Sequence, residues 1–306
     1  MAVPRRTARV DAAQTRVCDE NLHRPSGTHE QAGQAHVVTL RTLVFEALGS
    51  SCELFAVDAD EGRLAEAAAW VRQMHQRLTR FDPTSELSRF NARPGEWIAI
   101  TPELEALLRE ALAAYDRSGG LVHAGLLTRM LAIGYTRTFA EGPTITSAPG
   151  PARVPPLPDL LQVRSGEARL APGHGIDLGG IAKGWLADRL VERLGQNALA
   201  NLGGDLSARG AGPEADGWPV GFGAKTVLLT DVGVATSGTS RRRWGEGLHH
   251  LIDPRSGLPA VTDLIEVSVI ARTGVEAEVL AKTALLLGSS GAPDFLRAAA
   301  IGWWLG

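Results

Sequence analysis

The sequence predicts an α+β fold with mixed or antiparallel sheets. Its predicted strands come in groups between helices rather than in strict βαβ alternation, which argues against a Rossmann arrangement. With 306 residues, 44% of them hydrophobic, the chain is long enough to bury one large core or two small ones. A proline-rich stretch at residues 140–158 predicts a linker or long loop that divides two subdomains.

The first half of the chain predicts a hairpin followed by helices. Thr101 is a suitable N-cap for one of these helices, and Pro102 suits its first position. The predicted elements are a hairpin of residues 37–48 and 52–57 and helices over residues 60–81, 102–118 and 126–133.

The second half predicts short strands that surround one well-marked helix. Leu186, Leu190 and Leu194 are spaced four apart and mark the buried face of a helix over residues 181–194. The other predicted elements are strands near residues 161–163, 169–170, 176–178, 220–222, 227–229, 234–235, 249–252 and 267–270, and a helix over 275–287.

Composition excludes several classes of protein. The net charge of −3 gives no basic excess, so nucleic acid is a poor partner. Cys18 and Cys52 form no C-x-x-C pair, which argues against a disulfide scaffold or a zinc site. No run reaches the roughly 18 apolar residues of a membrane helix, so no membrane partner is predicted. Residues 1–36 are polar without an apolar signal segment, which predicts either a disordered leader or a wrongly assigned translation start. The absence of a signal segment predicts a cytoplasmic location, and residues 37–306 are predicted to form one domain.

A glycine pair precedes the helix over residues 181–194. Gly179 and Gly180 predict a tight turn at the helix start, where free N–H groups and the positive end of the helix dipole attract anions. Lys183 adds a charge in the first turn. A plain strand–turn–helix explains the same residues, so this pattern alone does not establish an anion site.

The segment from Val234 to Ala260 carries an unusual order of polar residues. A hydroxyl-and-glycine turn is followed by three arginines, two histidines and an Asp-Pro pair. Such a segment can approach a phosphate closely and place a histidine beside it. The residues concerned are Thr236, Ser237, Gly238, Ser240, Arg241 to Arg243, His249, His250, Asp253 and Pro254.

Taken together, these pieces resemble the ApbE family of FAD:protein FMN transferases. The resemblance covers roughly residue 37 to the end, and its motifs come in the family's order. They are Asp177-Leu-Gly-Gly-Ile-Ala-Lys-Gly184, Asn201-Leu-Gly-Gly-Asp205, Ala235-Thr-Ser-Gly238 and His250-Leu-Ile-Asp-Pro-Arg-Ser-Gly-Leu-Pro259, with two weaker matches at Phe81-Asp-Pro-Thr-Ser-Glu-Leu-Ser-Arg-Phe-Asn91 and Ala47-Leu-Gly-Ser50.

The resemblance implies an ApbE-like, T-fold-like architecture with FAD between two subdomains. It implies that FAD is cleaved at its pyrophosphate, that FMN passes to a threonine or serine hydroxyl of an acceptor protein, and that AMP leaves. The acceptor segment of the family resembles D-x-x-[ST]-G-A-[ST]. This chain contains no such segment, so it is not predicted to be its own substrate.

The resemblance also implies roles for individual residues. His250 is the candidate base, or the group that orients the hydroxyl, since an unperturbed histidine titrates near neutrality. Lys183 and Asp253 complete the candidate catalytic set, although Asp253 before a proline also fits a plain turn former. The candidate FAD contacts are Gly179, Gly180, Lys183, Thr236, Ser237, Gly238, Ser240, His250 and Asp253.

The chain departs from the family pattern at its metal site. Members carry A-D-x-x-A-T, whose Asp and Thr bind Mg²⁺ with a backbone oxygen from the I-A-K-G segment, here at Ala182. In this chain Glu278 and Lys282 stand at those two positions. Three readings remain open: a helix-surface i,i+4 ion pair, a Lys282 ammonium that replaces the metal, or Mg²⁺ held by Glu278 with Thr283 shifted into place.

A second departure, His123 where members have aspartate, lies in the segment Gly119 to Ala124. Two alternatives to transfer therefore remain: an FAD pyrophosphatase that yields FMN and AMP, and an FAD-binding protein without catalysis.

Overall fold

The computed structural model describes residues 8–10, 15–18, 38–144, 150–222 and 225–306. Helices, numbered in chain order, are α1 (Glu61–Leu78), α2 (Glu86–Asn91), α3 (Pro102–Arg117), α4 (Leu127–Ala132), α5 (Leu157–Leu160), α6 (Ala182–Leu194) and α7 (Gly274–Ala299), with short 3-10 turns at Ala124–Leu126 and Phe139–Glu141. Strands are β1 (Ala8–Val10), β2 (Thr15–Cys18), β3 (Leu40–Ala47), β4 (Ser50–Val57), β5 (Trp97–Ala99), β6 (Leu161–Arg164), β7 (Glu167–Leu170), β8 (Ala198–Leu202), β9 (Asp205–Arg209), β10 (Trp218–Phe222), β11 (Lys225–Leu229), β12 (Val232–Gly238), β13 (Arg243–Trp244), β14 (Leu248–His249), β15 (Ile252–Asp253), β16 (Leu258–Pro259), β17 (Glu266–Ala271) and β18 (Gly302–Leu305).

An eight-stranded antiparallel sheet organises the molecule. Its strand order is β1-β18-β17-β12-β9-β8-β4-β3, and each neighbouring pair is antiparallel. Helices α1, α6 and α7 cover one face, and their apolar residues form its core with the sheet. The hairpin β10–β11, extended by β2, covers the other face. The predicted α+β class is therefore confirmed in its antiparallel form.

Local signals placed several helices correctly. Thr101 caps α3 as predicted, because its hydroxyl accepts the N–H of Leu104, and Pro102 is the first residue of the helix. The predicted hairpin is β3–β4, which turns at Leu48 and Gly49. Helix α7 continues well past the predicted end at residue 287, with a kink where Gly288 adopts a φ of +70°.

Two predicted strands are wrong. Residues 176–178 are extended but pair with no strand in the described chain. The predicted strand 249–252 is broken, because the ring of His249 accepts the N–H of Leu251 and turns the chain between β14 and β15.

The predicted disordered leader lies largely outside the described residues. Within it, β1 pairs with β18 and β2 pairs with β11, so the prediction of disorder does not apply to these two stretches. Among the described residues, no helix has the length and apolar character needed to cross a membrane.

Candidate active site

Helices α6 and α7 cap each other where they cross beside the sheet. The carboxylate of Glu278 on α7 accepts the N–H of Gly184 in the first turn of α6, at 2.9 Å. In return, Asp188 on α6 accepts the N–H groups of Gly274 and Val275 at the start of α7, at 2.6 and 3.0 Å. A carboxylate at a helix N-terminus satisfies free N–H groups and complements the helix dipole. This reciprocal capping fixes the start of α6 relative to α7.

Glycine permits this close crossing. A Cβ atom on Gly184 would lie 2.4 Å from the carbonyl oxygen of Gly274, and one on Gly233 of β12 would lie 2.1 Å from the nitrogen of Gly274. Real Cβ contacts are not this short, so the two helices and β12 approach to backbone contact.

A cluster of charged groups, which we call the junction cluster, lies at this crossing: Lys183, Asp205, Glu278 and Lys282. Lys183 Nζ forms an ion pair with Asp205 Oδ2 at the start of β9. Lys282 Nζ donates to the carbonyl oxygen of Gly180 at 2.9 Å and contacts Glu278 Oε1 at 3.3 Å. The pairing of Glu278 with Lys282 is as predicted, but Glu278 is only 2% exposed, so the pair is not on the helix surface.

Burial and charge pairing shift the pKa values of this cluster in opposite directions. Burial lowers the pKa of Lys183, but the carboxylates of Asp205 and Glu278 outweigh it and leave the pKa raised. Burial raises the pKa of Glu278, a shift that the charge of Lys282 opposes. The ammonium of Lys183 therefore stays protonated at the mouth of the glycine turn.

The glycine turn is held from behind by residues of the Phe81–Asn91 motif and its neighbour Arg80. Asp177 accepts the N–H of Gly179 at 2.8 Å and pairs with Arg80 Nε at 2.5 Å. Asn91 forms two hydrogen bonds with the backbone of Ile176, at 2.8 and 2.9 Å. These contacts explain the extended stretch before the turn without a strand partner.

Arg80 is buried and keeps one nitrogen free. Its side chain is 4% exposed, and its guanidinium lies over the rings of Phe81 and Tyr135, at 4.1 and 4.6 Å from their centroids. Its Nη2 atom has no hydrogen-bond partner among the described residues. The guanidinium thus holds Asp177 with one edge and retains a donor on another.

The pleat of β12 separates two of the predicted FAD contacts. Ala235 packs against α7, whereas Val234 packs toward β10 and β11. Because side chains alternate between the two faces of a strand, Ser237 lies on the face of Ala235, toward the helices, and Thr236 lies on the opposite face. The hydroxyl of Thr236 forms a 2.8 Å hydrogen bond with that of Ser268 on β17. Ser237 is buried on the same face of the sheet as the junction cluster.

The other predicted contacts of this segment follow β12. Gly238 ends the strand with its backbone close to Ile265, since a Cβ atom there would lie 3.0 Å from the carbonyl oxygen of Ile265. Ser240 is exposed in the loop that follows.

The two adjacent histidines differ in their partners. His249 is buried, its Nε2 lies 3.0 Å from the carbonyl oxygen of Ala260, and its Nδ1 accepts the N–H of Leu251. His250 Nδ1 is buried and has no partner in the part of the chain that the structure describes. Burial, together with the charges of Arg242, Lys282 and Lys183, lowers the pKa of His250 to about 3. Its imidazole is therefore neutral at physiological pH and free to accept a hydrogen bond or a proton.

Arg242 is the member of the arginine run that reaches the site. Its charge lowers the pKa of His250 and also acts on Lys183 and Tyr135. Its φ of +52° is unusual for a residue with a side chain. Within the described ranges Arg242 has no carboxylate partner.

Asp253 is engaged by a neighbour. Arg255 forms a two-pronged ion pair with its carboxylate, at 2.7 and 2.9 Å, and donates to the carbonyl oxygen of Leu286 on α7. This arrangement gives Asp253 a part in fixing the loop after β15 and ties that loop to α7.

The donor set at the predicted metal position does not suit a divalent ion. Mg²⁺ requires about six oxygen ligands in near-octahedral geometry. Both carboxylate oxygens of Glu278 are in use, and Thr283 donates its hydroxyl to the carbonyl oxygen of Val279. The ammonium of Lys282 bonds to the carbonyl oxygen of Gly180, and the described residues contain no group of three His, Cys, Asp or Glu that could hold a metal. Ala182 is buried as the first residue of α6.

His123, predicted to stand where relatives have an aspartate, has a structural role. Its Nδ1 accepts the N–H of Gly125 at 3.0 Å and its Nε2 lies 2.9 Å from the carbonyl oxygen of Pro155. It therefore caps the 3-10 turn at Ala124–Leu126 and holds the proline-rich loop.

A cavity of about 620 Å³ lies on the opposite face of the large sheet. It is lined by Thr236 and Ser268, and by Arg241, Val220, Phe222 and Trp304, among others. It contains none of the junction cluster and not His250. The unpaired nitrogens of Arg80 and His250 and the cations Lys183, Lys282 and Arg242 favour the junction, rather than this cavity, as the place where an anion is bound.

Sequence reasoning missed Asn91, Arg80 and Asp188 as contributors to the site, and it did not single out Arg242. Only Asn91 had a usable sequence signal, because it is the last residue of the Phe81–Asn91 segment. Arg80 and Asp188 act through contacts with residues far along the chain, and single-sequence patterns carry no such information. Arg242 was visible only as one of three arginines.

The chain resembles known proteins in sequence and in fold. A sequence model described as the ApbE family matches residues 48–302. An FAD:protein FMN transferase of Treponema pallidum is 31% identical over 271 residues, covering 76% of this chain and 74% of that protein. Another, from Haemophilus influenzae, is 27% identical and covers 73% and 72%. The crystal structure of the Pseudomonas stutzeri flavinyl transferase ApbE in its apo form shares the fold, with a TM-score of 0.74 at 23% identity over 89% of this chain and 94% of that chain.

Proposed function

This chain belongs to the ApbE family, and from that premise we propose that it transfers the FMN half of FAD to a threonine or serine hydroxyl of an acceptor protein and releases AMP. The relatives that match it are named FAD:protein FMN transferases, so the chain is a transferase that uses FAD as its substrate. We take residues 37–306 as the transferase domain.

The observation that carries the proposal is the pairing of fixed cations with one unpaired base. Lys183, Lys282 and Arg242 surround the glycine turn and His250, while two carboxylates, Asp205 and Glu278, offset part of that charge. A pyrophosphate brings two negative charges to this position. Phosphoryl-type transfer depends mostly on such positioning and charge neutralisation.

The transfer step needs one base and one leaving group. The acceptor oxygen forms a bond to the phosphorus of the FMN half, and the bond from that phosphorus to the bridging oxygen breaks. The electron pair stays on the bridging oxygen, which leaves on AMP. The hydroxyl proton passes to His250, whose Nδ1 has no other partner among the described residues.

His250 gains basicity when FAD binds. In the chain without FAD, burial and neighbouring cations hold its pKa at about 3. A bound pyrophosphate offsets the part of this shift that comes from the cations, whereas burial, the largest cause, remains. The pKa of His250 is therefore higher with FAD bound than without it.

Asp253 is a positioning residue in this scheme, because Arg255 already holds its carboxylate. Gly179, Gly180 and Lys183 face the phosphates. Ser237, Gly238 and Ser240 remain proposed FAD contacts, whereas Thr236 points to the other side of β12.

The acceptor is proposed to present a D-x-x-[ST]-G-A-[ST] segment. The test is to incubate the chain with FAD and an acceptor domain that carries this segment, and to search for an FMN adduct by mass spectrometry and in-gel flavin fluorescence. An acceptor whose reactive hydroxyl residue is replaced by valine is the matched control. We expect an adduct on the first acceptor, none on the second, and one AMP for each adduct.

The other outcomes separate the alternatives. Free FMN and AMP without an adduct would identify an FAD pyrophosphatase. FAD that is bound and recovered intact would identify a binding protein without catalysis. Either result would overturn the proposal.

A further inference from the structure

Lysine is rare in this chain and concentrated at the site. Of the 31 basic residues counted as lysine or arginine, only Lys183, Lys225 and Lys282 are lysines. Two of these three belong to the junction cluster, and Lys225 lies exposed on β11. Arginine supplies positive charge almost everywhere else, so the two clustered positions hold a compact ammonium in a chain that otherwise uses guanidinium.

The surroundings of Lys282 suit a compact charge. Its side chain is 17% exposed, and its ammonium lies between the carbonyl oxygen of Gly180 and the carboxylate of Glu278. An ammonium has three N–H donors, of which these contacts use two. The third remains for an oxygen of a bound phosphate. A planar guanidinium would not fit both partners in this way.

Both carboxylate oxygens of Glu278 already have partners. One of its oxygens caps the first turn of α6 through Gly184, and the other contacts Lys282. Since Thr283 is bonded within its own helix, the position offers no ring of free oxygen ligands.

We propose that the ammonium of Lys282 is the fixed cation that neutralises the FAD pyrophosphate in this chain, and that FAD binding and FMN transfer need no divalent metal ion. This inference rests on the proposed function for its transfer part, whereas its binding part can be tested separately. A monovalent charge attracts the pyrophosphate less strongly than a divalent one at the same distance. Lys183 and Arg242 supply the remaining charge.

The first experiment measures FAD affinity by quenching of flavin fluorescence, once with EDTA and once with MgCl₂. We expect the same Kd in both buffers. Titration of MgCl₂ alone into the chain by calorimetry is expected to show no binding at millimolar concentration. Loss of FAD binding or of FMN transfer in EDTA, restored by MgCl₂, would overturn the inference.

Variants provide the second experiment. Lys282→Met removes the cation and is expected to weaken FAD binding roughly 10-fold to 150-fold, the range for a hydrogen bond to a charged group. Lys225→Met is the matched control and is expected to leave the Kd unchanged. Lys282→Arg keeps the charge and is expected to restore affinity only in part. Unchanged affinity in Lys282→Met would overturn the inference.

The third experiment reintroduces oxygen ligands with the double variant Glu278→Asp/Lys282→Thr. We expect this variant to bind MgCl₂ and to require it for FAD binding, unlike the parent chain. If the parent binds FAD without metal but forms no adduct, the proposed function fails while the assignment of Lys282 stands. If the parent forms an adduct only with MgCl₂, the proposed function stands and the assignment of Lys282 fails.

Discussion

Two regions share the work of the site, and they differ in how their polar groups are satisfied. At the crossing of α6 and α7 the charged side chains have partners: Lys183 with Asp205, Lys282 with Glu278, and Asp188 with the start of α7. In the segment from β12 to β16 most polar groups also have partners, such as Asp253 with Arg255 and His249 with Ala260. There, however, His250 and Arg242 lack a hydrogen-bond or ion-pair partner among the described residues.

This difference separates charges that are fixed by partners from groups that have no partner in the described chain. The crossing is assembled before any ligand binds, so it presents a fixed charge distribution and needs no reorganisation. The segment adds one base and one cation without partners, and a substrate can engage these together with the remaining N–H donor of Lys282. We expect variants of the two regions to differ according to this division.

The largest expected effect comes from the buried carboxylate at the crossing. Glu278→Leu leaves the ammonium of Lys282 and the N–H of Gly184 without their partner, and breaking a buried pair in this way destabilises a protein by about 3–5 kcal/mol. Urea unfolding would measure it. Glu192→Gln, which breaks the exposed pair with Arg189, is the control and is expected to lose at most about 1 kcal/mol.

The double variant Glu278→Leu/Lys282→Met sharpens that test. Since both charges are removed, no ammonium is left buried without a partner, and we expect part of the lost stability to return. If Glu278→Leu behaves like the surface control, the carboxylate of Glu278 does not hold the crossing rigid.

The second prediction contrasts the adjacent histidines. His250→Asn removes the proposed base and is expected to slow FMN transfer about 10²–10⁴-fold. Its stability should change little, because Nδ1 makes no hydrogen bond in the described structure. His249→Asn is expected to lose about 1–3 kcal/mol of stability through its broken contacts with Ala260 and Leu251. Equal behaviour of the two variants would contradict the division.

The sequence predicted the local features of both regions better than their burial. Thr101 and Pro102 marked the start of α3, because capping depends on neighbours in the chain. The Glu278–Lys282 pair was one of the three readings that its spacing left open. The burial of this pair was not predicted, because it results from the approach of α6. Gly184 of α6, which contacts Glu278, lies 94 positions before it in the sequence.

Three other features escaped prediction for physical reasons. Strand β8 is rich in alanine, which has low β-propensity, and its position between β4 and β9 makes it a strand. Thr236 and Ser237 read as one hydroxyl pair in the sequence, yet the pleat directs them to opposite faces. The roles of Arg80 and Asn91 follow from contacts with residues 85 to 97 positions away.

A third prediction uses the pH dependence of stability. Burial lowers the pKa of His250 to about 3 from an ordinary value of 6.5, so between these pH values the unfolded chain binds a proton that the folded chain does not. Stability contributed by the neutral imidazole is therefore present above pH 6.5 and is lost as the pH falls toward 3.

Urea unfolding of the parent and of His250→Asn at several pH values isolates this term. The parent should lose stability more steeply than the variant between pH 6.5 and 4, by at most about 1.4 kcal/mol per pH unit, the limit for one proton. His249 and His123 also have lowered pKa values, but they contribute equally to both proteins. Parallel curves would mean that His250 is not held neutral in the folded chain.

The smallest expected effect concerns the two faces of β12. Ser237→Ala removes a hydroxyl on the face of the junction cluster and is expected to weaken FAD binding roughly 2-fold to 10-fold, as for one neutral hydrogen bond. Thr236→Val removes a hydroxyl that bonds to Ser268 beside the 620 Å³ cavity, so its loss should appear in stability and leave the FAD affinity unchanged. Fluorescence titration and urea unfolding of both variants separate these effects. A greater loss of affinity in Thr236→Val than in Ser237→Ala would move the FAD site to the cavity face, and it would remove the argument that the unpaired groups near the crossing identify the site.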